Sequence, residues 1–125
     1  IIPDYVTGNM EDYNNVFFTN HYSTEEEKPI VQNFIKNYKA KYGETPNALA
    51  ALGYDGAYML FKAIEKAGTT DAPAVKAALD FMEFEGVTGT FVLDETGTPA
   101  KSVAITELYA DDQGGVSQKF NKTQD

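Results

Sequence analysis

Ile30, Val31, Phe34, Ile35, Tyr38 and Tyr42 recur three and four residues apart, and Lys36, Asn37, Lys39 and Lys41 fill the positions between them. That spacing predicts an amphipathic helix, closed by Gly43 with lysines near its negative end. Upstream, Ser23 with Glu26, or Thr24 with Glu27, fits a capping box. Glu25, Glu26 and Glu27 suit the positive end of a helix dipole, and Pro29 fits a first turn. Thr45-Pro46-Asn47 is the next loop and cap. Ala48 to Ala67 reads as a second helix, closed by Gly68. Between Leu49 and Phe61 its only charge is Asp55, so it is predicted to be largely buried. Gly53 and Gly56 each cost about 1 kcal/mol relative to Ala inside a helix, which predicts close approach of another backbone. Asp71 caps a third helix with Pro73 in its first turn and Ala74, Val75, Ala78 and Leu79 inward.

The flanks read as strands. The first dozen residues lack periodicity, and Asn14-Asn15 is a turn signal. Val16 to Thr19 is a β-branched and aromatic run, predicted as a buried strand. Thr90 to Leu93 is another. Lys101 to Tyr109 is a third, with Val103, Ile105 and Tyr109 on one side. Val116 to Phe120 makes a last strand before a polar, frayed end. Turns fall at Asp94 to Gly97 and at Asp111 to Gly115. The mixture of types argues for an α/β architecture. A single N-terminal strand cannot form a parallel sheet alone, and two long helices have little sheet to cover. The chain is therefore expected to be part of a larger fold. Its start at Ile1-Ile2-Pro3, without Met or a basic region, reads as a processed or excised end.

Composition narrows the function. The 125 residues carry 10 Lys+Arg against 19 Asp+Glu, a net charge of −9. Such a surface repels phosphate backbones and anionic lipid, which argues against nucleic-acid or polybasic membrane binding. No apolar run approaches the ~20 residues of a membrane span. Cysteine is absent, which excludes disulfides, thiol nucleophiles and Cys-based zinc sites. The one histidine, His21, rules out a multi-His metal site, and a Ser-His-Asp triad would have to run through it.

The local motifs are mostly turns. Asp94-Glu95-Thr96-Gly97-Thr98 invites comparison with a phosphorylated-aspartate loop, but Glu95 would repel phosphate where that loop needs Lys; a hairpin turn fits better. Asp111-Asp112-Gln113-Gly114 lacks the oxygen spacing and distal Glu of a calcium loop. Gly86-Val87-Thr88-Gly89-Thr90 has no Lys-Ser/Thr after it and is not a P-loop. Asn121-Lys122-Thr123 matches a glycosylation sequon, a pattern common by chance. His21 could orient a ligand or serve as an ordinary hydrogen-bonding side chain. Asp55 reads as a paired, buried structural acid or a cleft group, with the structural role favoured because unpaired burial is costly.

Five stretches in order carry a resemblance: Phe17 to Ser23 ("FFTNHYS"), Phe34 to Gly43 ("FIKNYKAKYG"), Ala50 to Asp55, "AIEKAGTTD" from Ala63, and "FEGVTGTFVLDETGTPAKSVAI" from Phe84. Together they resemble the C-terminal third of the solute-binding proteins of branched-chain amino acid ABC transporters, from about Val16 to Tyr109. The resemblance implies part of a type 1 periplasmic-binding fold, in which two α/β lobes joined by three crossover strands close on a ligand by a hinge motion. It implies that residues 1–21 and 106–125 belong to the C-terminal lobe and 22–105 to the N-terminal lobe. Leu49, at the start of the second helix, would face the ligand's side chain. Asn20, His21 and Tyr22 lie near the hinge and would reach the cleft. Most groups that hold the ligand's ammonium and carboxylate would lie upstream.

The implied function is extracytoplasmic capture of a small amino acid, branched-chain by family, for delivery to an ABC permease. It needs no catalysis, cofactor or metal. A lipid anchor upstream is one mode of attachment, and this segment itself does not insert in the membrane. The same fold also serves as ligand-sensing domains. A rival from another class is a small α/β interaction domain or enzyme fragment with Asp55 or Asp94 as working acid. The chain alone is expected to lack ligand affinity and to be ordered by pairing with a second copy or with the rest of its protein.

Overall fold

The strands sort into two antiparallel sheets of three, not one. The computed structural model describes residues 6–124, so the Ile1-Ile2-Pro3 start lies outside the described residues. The first sheet holds β1 (Val16–Asn20), β5 (Val103–Ala110) and β6 (Val116–Gln124), with β5 central. The second holds β2 (Glu83–Gly86), β3 (Gly89–Leu93) and β4 (Pro99–Ala100), with β3 central. Helices α1 (Pro29–Tyr42), α2 (Ala48–Ala67) and α3 (Ala72–Leu79) lie between β1 and β2 in the chain. A short 3-10 turn, Met10–Tyr13, precedes β1.

Helix ends follow local chemistry, with one correction. The acidic run at Glu25 to Glu27 does not open α1, which begins at Pro29. A proline forces the residue before it out of the helical region, and Lys28 is extended at ψ 132. Ser23 instead closes a turn, its Oγ accepting from the Glu25 N–H at 3.2 Å. Gly43 and Gly68 end α1 and α2 in the left-handed conformation at φ 76 and 65, where a Cβ is costly. Asn47 caps α2 by accepting from Ala50 N–H at 2.9 Å, and Asp71 caps α3.

The core is built in patches. Val31, Phe34 and Ile35 of α1 pack with Tyr22, Ala51 and Val87. Ala63 of α2 meets Val75 and Ala78 of α3, where small side chains let the helices approach. Phe84, Phe91 and Leu93 of the second sheet form a third patch, with Met59 of α2 and Leu79 of α3 packed against it.

The burial expectations for β1 and α2 are overturned. Val16 and Phe17 are 40% and 52% exposed, because β1 is an edge strand with neither face fully covered. On α2, Leu49, Tyr58, Leu60 and Phe61 are exposed, since only one stripe of the helix meets other described elements. A Cβ on Gly53 or Gly56 would meet open space, so among the described residues no backbone approaches them. On β5 Val103, Ile105 and Tyr109 do share one side, which is half-buried, while Ala104, Thr106 and Leu108 opposite are buried. The polar end is not frayed: β6 runs to Gln124, opposite Val103. Its ladder slips by one residue at Asn121, a β-bulge between the Lys122–Ile105 and Phe120–Thr106 pairs.

Candidate functional site

A cleft of about 480 Å³ opens where the first sheet meets the α1–α2 corner. One wall is the end of β1, Phe18 to Asn20, with Thr106 of β5 and Gln118 to Phe120 of β6. The other is the chain from Tyr22 to Glu25 and the loop from Thr45 to Ala48. Wall and counter-wall thus come from opposite sides of the β1–α1 junction.

Of the four residues expected at a ligand site, the cleft brings two together. Asn20 lines it, and its Oδ1 accepts the His21 N–H at 2.8 Å, which shapes the exit from β1. Tyr22 lines it from a buried position, and its hydroxyl donates to the carbonyl of Pro46 across the cleft's base. Burial, aided by nearby Tyr38, pushes the Tyr22 hydroxyl up to about 12. His21 is exposed beside the cleft without lining it. Leu49 stands 76% exposed in the first turn of α2, one residue beyond the lining Ala48.

Sequence reasoning missed Glu25, Thr45, Asn47, Thr106, Gln118 and Lys119. Glu25 was read as helix dipole chemistry, whereas its carboxylate accepts the Phe120 N–H and ties the Ser23–Glu27 loop to β6. Lys119 pairs with Glu107 at 3.2 Å. The even-numbered face of β5 was the available signal for Thr106. The lining is mixed: hydroxyls, amides, one carboxylate, one ammonium and aromatic carbon. That suits reversible binding of a small polar molecule with an apolar part. Among the described residues no group of three or more His, Asp or Glu could hold a metal. No helix among them is long and apolar enough to cross a membrane.

The two carboxylates weighed as working acids are bound up in structure. Asp55, 4% exposed, accepts the Val87 N–H at 2.8 Å and the Thr88 N–H at 2.7 Å, which fastens the β2–β3 turn onto α2. The Gly86 to Thr90 motif is this turn. Lys101 donates to Thr88 Oγ1 at 2.8 Å; burial lowers its ammonium's pKa and Asp55 partly offsets that. Asp94 accepts from Thr96 N–H, Thr96 hydroxyl and Thr98 N–H within its own turn. Asp111 does the same for Gln113 and Gly115 N–H and the Ser117 hydroxyl. These bonds hold both carboxyls below their ordinary range.

The two sheets, the three helices and the cleft between them make up part of a fold of the type 1 periplasmic-binding class. The chain belongs to the periplasmic binding protein family, whose model matches residues 5–114. It is similar in structure to the leucine binding protein LivK of Thermotoga maritima MSB8, at 34% identity and a TM-score of 0.70, covering 90% of this chain and 31% of that one. It is similar also to LivJ of Streptococcus pneumoniae, solved in complex with isoleucine, at 28% identity and a TM-score of 0.71, covering 90% and 32%. A Leu/Ile/Val-binding protein homolog 7 of Brucella abortus is 41% identical over 58 residues, 46% of this chain and 14% of that protein. The chain therefore spans under a third of the first solved relative's length.

Proposed function

We propose that this chain is part of a solute-binding protein that captures a small amino acid, branched-chain by preference, outside the cytoplasm and hands it to an ABC transporter permease. The observation that carries the reading is the cleft between the β1–β5–β6 sheet and the α2 corner, in a chain with the fold of LivK and LivJ. No bond is made or broken; binding energy goes into closing the cleft around the ligand. In this reading β1, β5 and β6 are the strands shared with the C-terminal lobe, residues 1–21 and 106–125, and residues 22–105 belong to the N-terminal lobe. The separation of the strands into two sheets supports that division. Asn20 and Tyr22 bind from the hinge side, His21 borders the cleft mouth, and Leu49 gives van der Waals contact to the ligand's aliphatic side chain once the opposite lobe faces it. The exposure of Leu49 supports that role.

Thermal melting of the full-length protein with and without leucine, isoleucine and valine tests the reading. Ligand at 100 times its dissociation constant adds about 2.7 kcal/mol of stability, a rise of several degrees. No rise with any of the three defeats the assignment of ligand class.

A further inference from the structure

The Asp55 carboxylate, Thr88 and Lys101 form a continuous polar chain that ends at the root of β5. Asp55 is the one charge in the central stretch of α2. It grips two adjacent N–H groups of the β2–β3 turn. Thr88, 3% exposed, passes the connection on through its hydroxyl to the Lys101 ammonium, which also lies 5.3 Å from the Phe91 ring centroid. Lys101 sits two residues before Val103, the first residue of β5. Nearby, a Cβ on Gly89 would touch Ser102 Oγ at 3.6 Å, so the turn and the root of β5 are also in direct proximity. An apolar side chain at 101 could cover Phe91 equally well. Only a donor of this length adds a directional tether to a turn that α2 already holds.

We propose that Asp55, Thr88 and Lys101 act as an anchor that locks the start of β5 to α2, so that any lobe rotation is taken up beyond Ser102, with Lys101 as the positioning residue. This rests on the reading of β5 as a strand crossing between lobes. Losing the tether lets the rotation spread into residues 94–102. The open state then samples more orientations, fewer of them competent to close.

The test is the distance distribution between spin labels in the full-length protein, at Glu65→Cys on α2 and Lys122→Cys on β6. This chain has no cysteine of its own to compete for label. Without ligand, Lys101→Met is expected to broaden the distribution about twofold, and saturating leucine is expected to narrow it again. Leucine affinity falls several-fold. Thr88→Val removes the same acceptor at equal volume and is expected to broaden it likewise, which covers failure of the first variant to fold. Lys101→Arg, which keeps a donor, restores the narrow distribution. Unchanged ligand-free widths in both variants, with only a lower melting temperature, overturn the anchor and leave a purely structural network. The ligand-free comparison stands apart from the function: a wild-type protein that ignores leucine refutes the transport reading while the widths still judge the anchor.

Discussion

Gly86 leaves empty the space into which the Asp55 carboxyl fits: a Cβ at position 86 would lie 2.6 Å from Asp55 Cγ. The same Cβ would meet Phe84 Cε1 at 2.5 Å. The glycine is there for room, since its φ is not in the left-handed region. Gly86→Ala is expected to cost ~1–3 kcal/mol by overpacking. Asp55→Ala is expected to cost ~2–4 kcal/mol by stranding two buried N–H groups. Because truncating Asp55 relieves much of the clash, the double variant should fall short of the sum by at least ~0.5 kcal/mol in urea unfolding. Strict additivity would show that the two sites do not share the space.

Tyr22 joins the exit of β1 to the loop before α2 through its hydroxyl on Pro46. Tyr22→Phe leaves that carbonyl short of a donor and should cost ~1–2 kcal/mol. It also changes the alkaline limb. The folded Tyr22 keeps its proton to about 12, above its ordinary value of 10.0, so the folded state holds more protons than the unfolded one in that window. Stability is complete below pH 10 and falls as pH rises through 12. Tyr54, raised to about 12 chiefly by its hydrogen bond with Tyr58, contributes in the same direction but is partly exposed. Tyr22→Phe should therefore flatten the loss without abolishing it, and an unchanged alkaline slope would contradict the assignment.

Much of the local structure was legible because it is encoded locally. The glycine stops at Gly43 and Gly68, the caps at Asn47 and Asp71, and the turns at Asp94 and Asp111 depend on a few adjacent residues. Burial was not legible in the same way. The hydrophobic pattern of α2 and β1 states that those faces want cover, and it does not state that the cover comes from within these residues. On β5 the alternation put Val103, Ile105 and Tyr109 on one side, as found, but it did not show that the opposite side, with Ala104 and Thr106, is the more buried. Packing against neighbours, which pattern alone does not show, decides which side is shielded. The cleft was half legible: Asn20 and Tyr22, expected there, do line it, but Thr45, Thr106 and Gln118 reach it only through long-range pairing. The favoured structural role of Asp55 was argued from the cost of an unpaired buried charge. Its partners, two backbone N–H groups on a distant turn, have no signature in the sequence.

The acid limb has its own carriers. Hydrogen bonds from Thr96 and Thr98 depress the Asp94 carboxyl, and those from Gly115 and Ser117 depress Asp111, below an ordinary 3.8. A depressed carboxyl contributes stability that is complete above its unfolded value and is lost as pH falls through the folded one. Asp94→Asn and Asp111→Asn should each lower stability at neutral pH and flatten its decline below pH 4, read by urea unfolding. Equal acid slopes in variant and wild type would rule both turns out as carriers.

The exposed aromatic surface of α2 sets the behaviour of residues 1–125 on their own. Tyr54 and Tyr58 stack at 4.6 Å and Tyr58 meets Phe61 at 6.1 Å, and all three are exposed on α2 beside Leu60. Exposed contiguous apolar surface drives association. Sedimentation of this chain should show concentration-dependent self-association, weakened by Phe61→Ser and Leu60→Gln. A monomer at every concentration would contradict the view that this face needs a neighbour.

The most direct measurement of the central claim is calorimetric titration of the full-length protein with L-leucine, L-isoleucine and L-valine, beside the same titration of residues 1–125. The expected result is a saturable heat in the micromolar range or tighter for the full-length protein, and none for the shorter chain, which spans under a third of the first solved relative's length. Saturable binding by residues 1–125 alone, or no binding of any of the three by the full-length protein, would contradict it.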